Sequence, residues 1–180
     1  YMLTLIINTC AEPLHYYEFV KPIEDIIKKQ VLKFKTVHYV KLKEKDLKAC
    51  SKVIICGTSL KDNNYLKDLE FFSWIKDFKK PVLGVCSGMQ IIGLVFGAKL
   101  RKQTKIGLLK ENFIKEFLGL FGEKQVYHLH NNGITLPKDF TPFSQGKIPQ
   151  SIKHKNLPIF GVLFHPEVRN EGVIEKFLKI

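Results

Sequence analysis

Cys86 stands in the segment Gly84-Val85-Cys86-Ser87-Gly88, between the apolar run Pro81 to Val85 and the apolar, helix-spaced stretch Ser87 to Phe96. A nucleophile flanked by glycines at a strand-to-helix turn is the nucleophile-elbow arrangement, here with cysteine where serine is usual. Such a turn strains the backbone of its middle residue, and the glycines let strand and helix approach. The thiol then points out from the carboxyl edge of the sheet, where open α/β folds bind ligands. The helix N-terminus behind it favours the thiolate. The plainer alternative is a small buried hydrophobe, the common fate of a free cysteine.

A thiol nucleophile needs a base to take its proton and return it, and the base needs a third group to fix its tautomer. Gly161-Val162-Leu163-Phe164-His165-Pro166-Glu167 offers both. His165 leaves an apolar strand, Glu167 follows two residues on, and Pro166 stiffens the spacing. Alone, a His-x-Glu loop is more often a solvated turn; paired with the elbow it becomes informative. Cys10 and Cys56 end apolar runs and read as inert core, Cys50 as a helix-end residue. His15, His38 and His154 have no partner spacing. His128 and His130 alternate along one strand and share a face, but no third ligand or carboxylate is evident nearby, and no metal site is expected.

Positioning these groups requires strands whose ends coincide. Leu3 to Ile7, Thr36 to Val40, Val53 to Cys56 and Pro81 to Val85 read as strands. Tyr16 to Lys29, Leu66 to Phe78 and Ser87 to Phe96 read as helices. The alternation predicts a parallel sheet covered on both faces. The cluster Phe71, Phe72, Trp74 and Phe78 reads as the buried stripe of the second helix. Further on, Phe113 to Phe121 reads as a short helix. Gln125 to His130, Ile134 to Leu136, Ser151 to His154 and Ile159 to Phe164 read as antiparallel strands added to the sheet, and Glu171 to Leu178 as a closing helix. The fold class is therefore three-layer α/β/α, with a mostly parallel central sheet and antiparallel C-terminal strands.

The chain has 180 residues, 45% hydrophobic and 26% charged, ordinary globular usage that excludes disorder and collagen-like architectures. No repeat or linker divides it, so residues 1–180 are expected to form one domain. No apolar run approaches bilayer length. Residues 1–7 lack the basic segment of a secretion signal, and four cysteines without CxxC spacing fit reduced thiols in the cytoplasm. A net charge of +12 suggests nucleic acid, but Arg101 and Arg169 are the only arginines, and arginine is the usual fork for bases and phosphates. The lysines are scattered, so a solvated surface is expected rather than a nucleic-acid face.

GVCSGMQ at 84–90 and GVLFHPEV at 161–168 resemble the two signature blocks of class I, triad-type glutamine amidotransferases, and block spacing and length fit across nearly the whole chain. The resemblance implies that Cys86 attacks the side-chain amide of L-glutamine to give a γ-glutamyl thioester and ammonia. It implies His165 as general base and acid, Glu167 as its orienter, and the backbone N–H groups of Gly57 and Ser87 as the oxyanion hole. Gln90 and the main chain around Asn131, Gly133 and Ile134 would hold the substrate; no cofactor or metal is implied. The fold implied is flavodoxin-like. Ammonia would pass to a separate synthase polypeptide, since the chain ends soon after Glu167. Leu136 to Phe140 and the FHPEV ending resemble the amidotransferase part of GMP synthases, whereas Asn8-Thr9-Cys10-Ala11-Glu12 departs from the Asp-Phe-Gly-type segment usual there. Two other outcomes stay open: a stand-alone γ-glutamyl hydrolase or peptidase, and a non-catalytic binding subunit of the same fold. Three further positions depart from the family pattern. Ser59 stands where proline stiffens the oxyanion turn, Leu163 where glutamine precedes Phe-His-Pro-Glu, and Lys105 where an acidic residue is common. The turn after Gly57 is therefore expected to be loose, with weak turnover until a partner sets it.

Overall fold

A computed structural model describes residues 2–180. Its strands are β1 (Leu3–Asn8), β2 (Lys33–His38), β3 (Lys52–Ile55), β4 (Val82–Val85), β5 (Leu100–Phe117), β6 (Leu120–Ile134), β7 (Phe140–Pro142), β8 (Ser151–His154) and β9 (Ile159–Val162). Its α-helices are α1 (Tyr16–Phe19), α2 (Lys21–Lys29), α3 (Glu44–Ala49), α4 (Ser87–Val95) and α5 (Gly172–Leu178). Seven strands form one sheet in the order β2-β1-β3-β4-β9-β8-β7. β2, β1, β3, β4 and β9 run parallel, and β8 and β7 are added antiparallel.

Alternate residues of the parallel strands feed two cores, as the period-2 geometry of a strand requires. Ile6, Ile54, Leu83 and Val162 face a layer built from Phe19, Ile23, Ile26 and Ile27 of α1 and α2 and from Ile174 and Phe177 of α5. Leu5, Ile7, Val53, Ile55 and Val82 face Met89, Ile91 and Ile92 of α4, with Phe72 and Ile75 beside them. The expected three layers are present, and the first long helix breaks once at Val20, before Pro22 at the start of α2.

Other stretches differ from the sequence expectation. Leu66 to Phe78 forms a 3-10 helix over Leu69–Lys76 rather than an α-helix. Its fully buried side chains, Phe72 and Ile75, are three residues apart, the spacing that 3-10 geometry eclipses, and the aromatics and Ser73 around them are middling α-helix formers. Phe113 to Phe121 is not a helix but the tip of a long hairpin, β5 pairing β6. Phe113, Phe117 and Leu120 repeat at helical spacing only because the ladder shifts register between Phe113 and Phe117. The turn itself is Leu118-Gly119, both at positive φ (46° and 90°), the backbone a two-residue hairpin loop of the I′ kind demands. Gln125 to His130 lies within β6, which ends at Ile134, so Ile134 to Leu136 is not a separate strand, and β5 and β6 form their own two-stranded sheet instead of joining the main one.

Candidate active site

β4 and β9 are parallel neighbours, with Gly84 opposite Gly161 and Val85 opposite Val162. This register brings the two chemical segments together, since Cys86 follows one strand end and His165 the other. The Cys86 N–H continues the ladder to the Val162 carbonyl at 2.8 Å, and the chain then turns into α4. Cys86 has φ 51° and ψ −106°, a sparsely populated conformation for a non-glycine residue that marks stored strain. The glycines permit it. A Cβ on Gly84 would lie 2.5 Å from the Gly88 backbone, and one on Gly88 would lie 2.3 Å from the Ile55 carbonyl oxygen. The thiol is 3% exposed and donates to the Leu129 carbonyl of β6 at 3.6 Å.

His165 and Glu167 are joined by a 2.7 Å contact from Nδ1 to Oε1, and both are buried. Nδ1 thus carries the proton facing the carboxylate. Nε2 is buried and finds no hydrogen-bond partner among the described residues. The ring is wedged by Phe19 and Tyr127, with centroids at 5.5 and 6.4 Å. Burial opposes the charged ring, but the Glu167 carboxylate and the neighbouring Cys86 outweigh it, holding the imidazole well above its ordinary pKa. A Cβ on Gly57 would stand 2.7 Å from His165 Cε1 and 3.2 Å from Cys86 Cβ, so elbow, imidazole and the backbone after β3 converge on one point.

Thr9 Oγ1 donates to the carbonyls of Cys56 (3.0 Å) and Gly57 (3.3 Å), and Ser87 Oγ to that of Cys56 (3.1 Å). The backbone N–H of Ser87 opens α4, where helix geometry leaves it without an intrahelical acceptor. The expectation of a loose turn is corrected. Thr58 is 3% exposed and its hydroxyl donates to Asp62 Oδ2 at 2.6 Å.

In front of the thiol lies a cleft of about 250 Å³ lined by Thr58, Tyr65, Cys86, Ser87, Gln90 and Asn131, among others. Gln90 Nε2 donates to the Asn132 carbonyl at 2.8 Å, and its Oε1 accepts a short hydrogen bond from Tyr65. Asn131 Nδ2 reaches the Leu60 carbonyl at 3.3 Å. Gly133 and Ile134 continue the same strand, where a Cβ on Gly133 would meet Ile148 Cγ2 at 2.4 Å and Ile134 packs fully buried against α4.

Comparison with known proteins shows the family. The family model described as glutamine amidotransferase class-I matches residues 15–178. The chain belongs to that family. The glutamine-hydrolyzing GMP synthase subunit of Pyrococcus abyssi is 33% identical over 139 residues, 69% of this chain and 71% of the relative. The subunit of the same name from Thermoplasma acidophilum is 37% identical over 107 residues, 54% of this chain and 52% of the relative. A solved structure from Thermoplasma acidophilum, provisionally assigned as the same GMP synthase subunit, superposes with a TM-score of 0.86 at 25% identity and covers 99% of this chain and 94% of that one.

Several residues shaping the site of this amidotransferase carry no sequence signal. Tyr65 sits in a short 3-10 helix, Asn64–Leu66, with no recognisable motif, and meets Gln90 only through folding. Thr9 follows β1, far from the elbow in sequence. Asp62, in Asp62-Asn63-Asn64, shows only the polar character of a turn. The absence of a carboxylate near the histidine pair is corrected too. His128 Nε2 lies 2.9 Å from Glu111 Oε1, Lys105 makes a short bond to the same oxygen, and His128 Nδ1 meets His130 Nε2 at 3.2 Å. Burial, then the neighbouring His128 and Lys105, push the pKa of His130 down to about 3. Among the described residues, no group of three or more His, Cys, Asp or Glu side chains is placed to hold a metal ion.

Proposed function

We propose that this amidotransferase is a single-domain glutaminase subunit that hydrolyses L-glutamine through Cys86, His165 and Glu167. The observation that carries the reading is the strained elbow thiol beside an imidazole whose Nδ1 is taken by Glu167 and whose Nε2 is buried and free. In this reading the Cys86 proton passes to His165 Nε2 and the thiolate attacks the side-chain amide carbon. The oxyanion that forms faces the N–H groups of Gly57 and Ser87, donors aimed at charge that develops only in the transition state. The C–N bond breaks as the imidazolium returns its proton, releasing ammonia and leaving a γ-glutamyl thioester. Water then gives a proton to His165 and attacks the thioester. The C–S bond breaks, glutamate leaves and the thiol is restored. Glu167 keeps the imidazole in the productive tautomer and stabilises its charged form.

Gln90 and the main chain around Asn131, Gly133 and Ile134 grip the amino-acid end of the substrate. The names of the relatives support GMP synthase as the acceptor system, with the ammonia-consuming synthase on a separate polypeptide. A thiol mechanism with four unpaired cysteines fits a reducing compartment such as the cytoplasm. Among the described residues, no helix is long and apolar enough to cross a membrane.

The test is ammonia release from glutamine by the wild-type chain and by Cys86→Ala, each alone and mixed with the ATP-dependent component of a GMP synthase. Glutamine-dependent amination in the wild-type mixture but not in the Cys86→Ala mixture, with ammonium salts rescuing the latter, supports the reading. Ammonia release that survives Cys86→Ala refutes it.

A further inference from the structure

The turn following β3 holds no proline, yet Gly57 and Thr58 are buried and side chains tie the turn down. No peptide bond in the described chain is cis, so each carbonyl and the N–H that follows it point in opposite directions. Thr9 Oγ1 holds the carbonyls of Cys56 and Gly57, and the Cys10 thiol reaches the Gly57 carbonyl as well, at 3.7 Å. The N–H groups of Gly57 and Thr58 are thereby turned away from Thr9. One end of the turn is set by this contact. The other end needs its own anchor, because nothing in Gly57-Thr58-Ser59 restricts rotation as a proline would.

Asp62 supplies the anchor. Its Oδ2 accepts from the Thr58 hydroxyl at 2.6 Å and from the Ala11 N–H at 2.7 Å, its Oδ1 accepts from the Asn64 N–H at 3.2 Å, and its own N–H donates to the Ser59 carbonyl at 3.1 Å. The residue is 8% exposed and lines the cleft in front of Cys86. A carboxylate receiving several donors makes charge-assisted bonds, about twice as strong as neutral ones. It also bonds across segments, since Ala11 belongs to the loop after β1, next to Thr9. Both ends of the turn are therefore referred to that one loop.

Resting on the role proposed above for Gly57, we propose that Asp62 is the positioning residue of the oxyanion turn, a buried carboxylate that fixes by hydrogen bonding a turn whose own residues would leave it free to rotate. It touches no reacting atom and acts through Thr58 and the Gly57 peptide. Asp62→Asn keeps the shape but leaves one accepting oxygen where there were two. Asp62→Ala removes both, and Thr58→Val removes the donor while preserving volume.

The test compares three rates for the wild type and these variants: glutaminase kcat and KM, inactivation by a glutamine-shaped chloromethyl ketone whose carbonyl oxygen occupies the hole, and alkylation by iodoacetamide, which reads the thiolate without the hole. The expected result is a fall in kcat and in ketone inactivation of about 10-fold for Asp62→Asn, approaching the ~10²–10³-fold cost of one lost donor for Asp62→Ala. KM and iodoacetamide rates should stay within about threefold. Thr58→Val should reproduce part of the loss and add little on top of Asp62→Ala, as partners in one contact do. If Asp62→Ala does not fold, Asp62→Asn and Thr58→Val decide. Wild-type kcat in both overturns the inference, as does a parallel loss of iodoacetamide reactivity, which would show that the elbow had moved. A wild-type chain that the ketone does not label at Cys86 overturns the glutaminase reading, and this inference with it.

Discussion

Cysteines with the same side chain differ here by their surroundings. Burial pushes the Cys10 thiol up to about 11, raises Cys50 and holds Cys56 well above its ordinary value, whereas Cys86 sits at a helix N-terminus beside His165. A glutamine-like electrophile should therefore label Cys86 and spare the other three, read by mass spectrometry of the modified peptides; comparable labelling at several cysteines would contradict the assignment. His165→Ala should cost as much activity as Cys86→Ala, because members of one catalytic unit do not add. Glu167→Gln should lower kcat by about 10²-fold or more through the wrong tautomer. It should also shift the pH profile in a definite direction. Glu167 favours the imidazolium, so its loss lowers the pKa of His165. The form carrying the proton needed by the leaving ammonia is then lost at lower pH, and the alkaline limb of kcat should move down. An unmoved limb with unchanged kcat would make Glu167 a packing residue.

At the scale of elements, the elbow depends on close approach, and its glycines can be ranked by what a Cβ would meet. Gly84→Ala and Gly88→Ala place a carbon 2.5 and 2.3 Å from backbone atoms, so each should lower stability by about 1–3 kcal/mol. Gly172, at the start of α5, has nothing within 4 Å, and Gly172→Ala should add about 0.4–1 kcal/mol through the unfolded chain. Thermal melts separate the two classes, and equal effects would refute the packing account. α3 is tied to β2 by Asp46, which accepts from Lys35 Nζ at 2.7 Å and from the Lys43 N–H at 3.0 Å. These bonds, Lys35 first, hold its carboxyl below the ordinary Asp value. The folded pKa is depressed, so the contribution to stability is present above the unfolded value of about 3.9 and is lost as pH falls through the folded one. Asp46→Asn should flatten acid denaturation in that window, followed by circular dichroism; an unchanged acid limb would rule the pair out as a contributor.

The charge of the whole molecule, +12 with 29 basic and 17 acidic residues, permits weak association with any polyanion. Nonspecific binding of this kind is steeply salt-dependent, falling ~10³–10⁵-fold between 50 and 200 mM salt for a protein making 6–10 phosphate contacts. Retention of duplex DNA at low salt should therefore vanish by about 200 mM salt while glutaminase turnover persists. Retention at that salt would mean an organised nucleic-acid face that two arginines and scattered lysines do not suggest.

The elbow, the His-Pro-Glu segment and the alternating strands were legible in the sequence because each is a local signal. Glycines flank the nucleophile because the turn is tight, and Leu5, Ile6 and Ile7 are all apolar because both faces of a parallel strand are covered. The α/β class and the triad candidates follow from such signals. The hairpin of β5 and β6 was not legible, since a register shift gave Phe113, Phe117 and Leu120 the spacing of a helix. Nor was the 3-10 geometry of Leu69–Lys76, where burial at Phe72 and Ile75 decided over an α-helical reading. Only the tertiary structure set β4 beside β9, joined Tyr65 to Gln90 and Glu111 to His128, and tied the turn after β3 to Asp62. These are pairings between segments distant in the chain or across an irregular loop. Their partners are chosen by which surfaces meet when the layers pack, a choice to which no local periodicity corresponds.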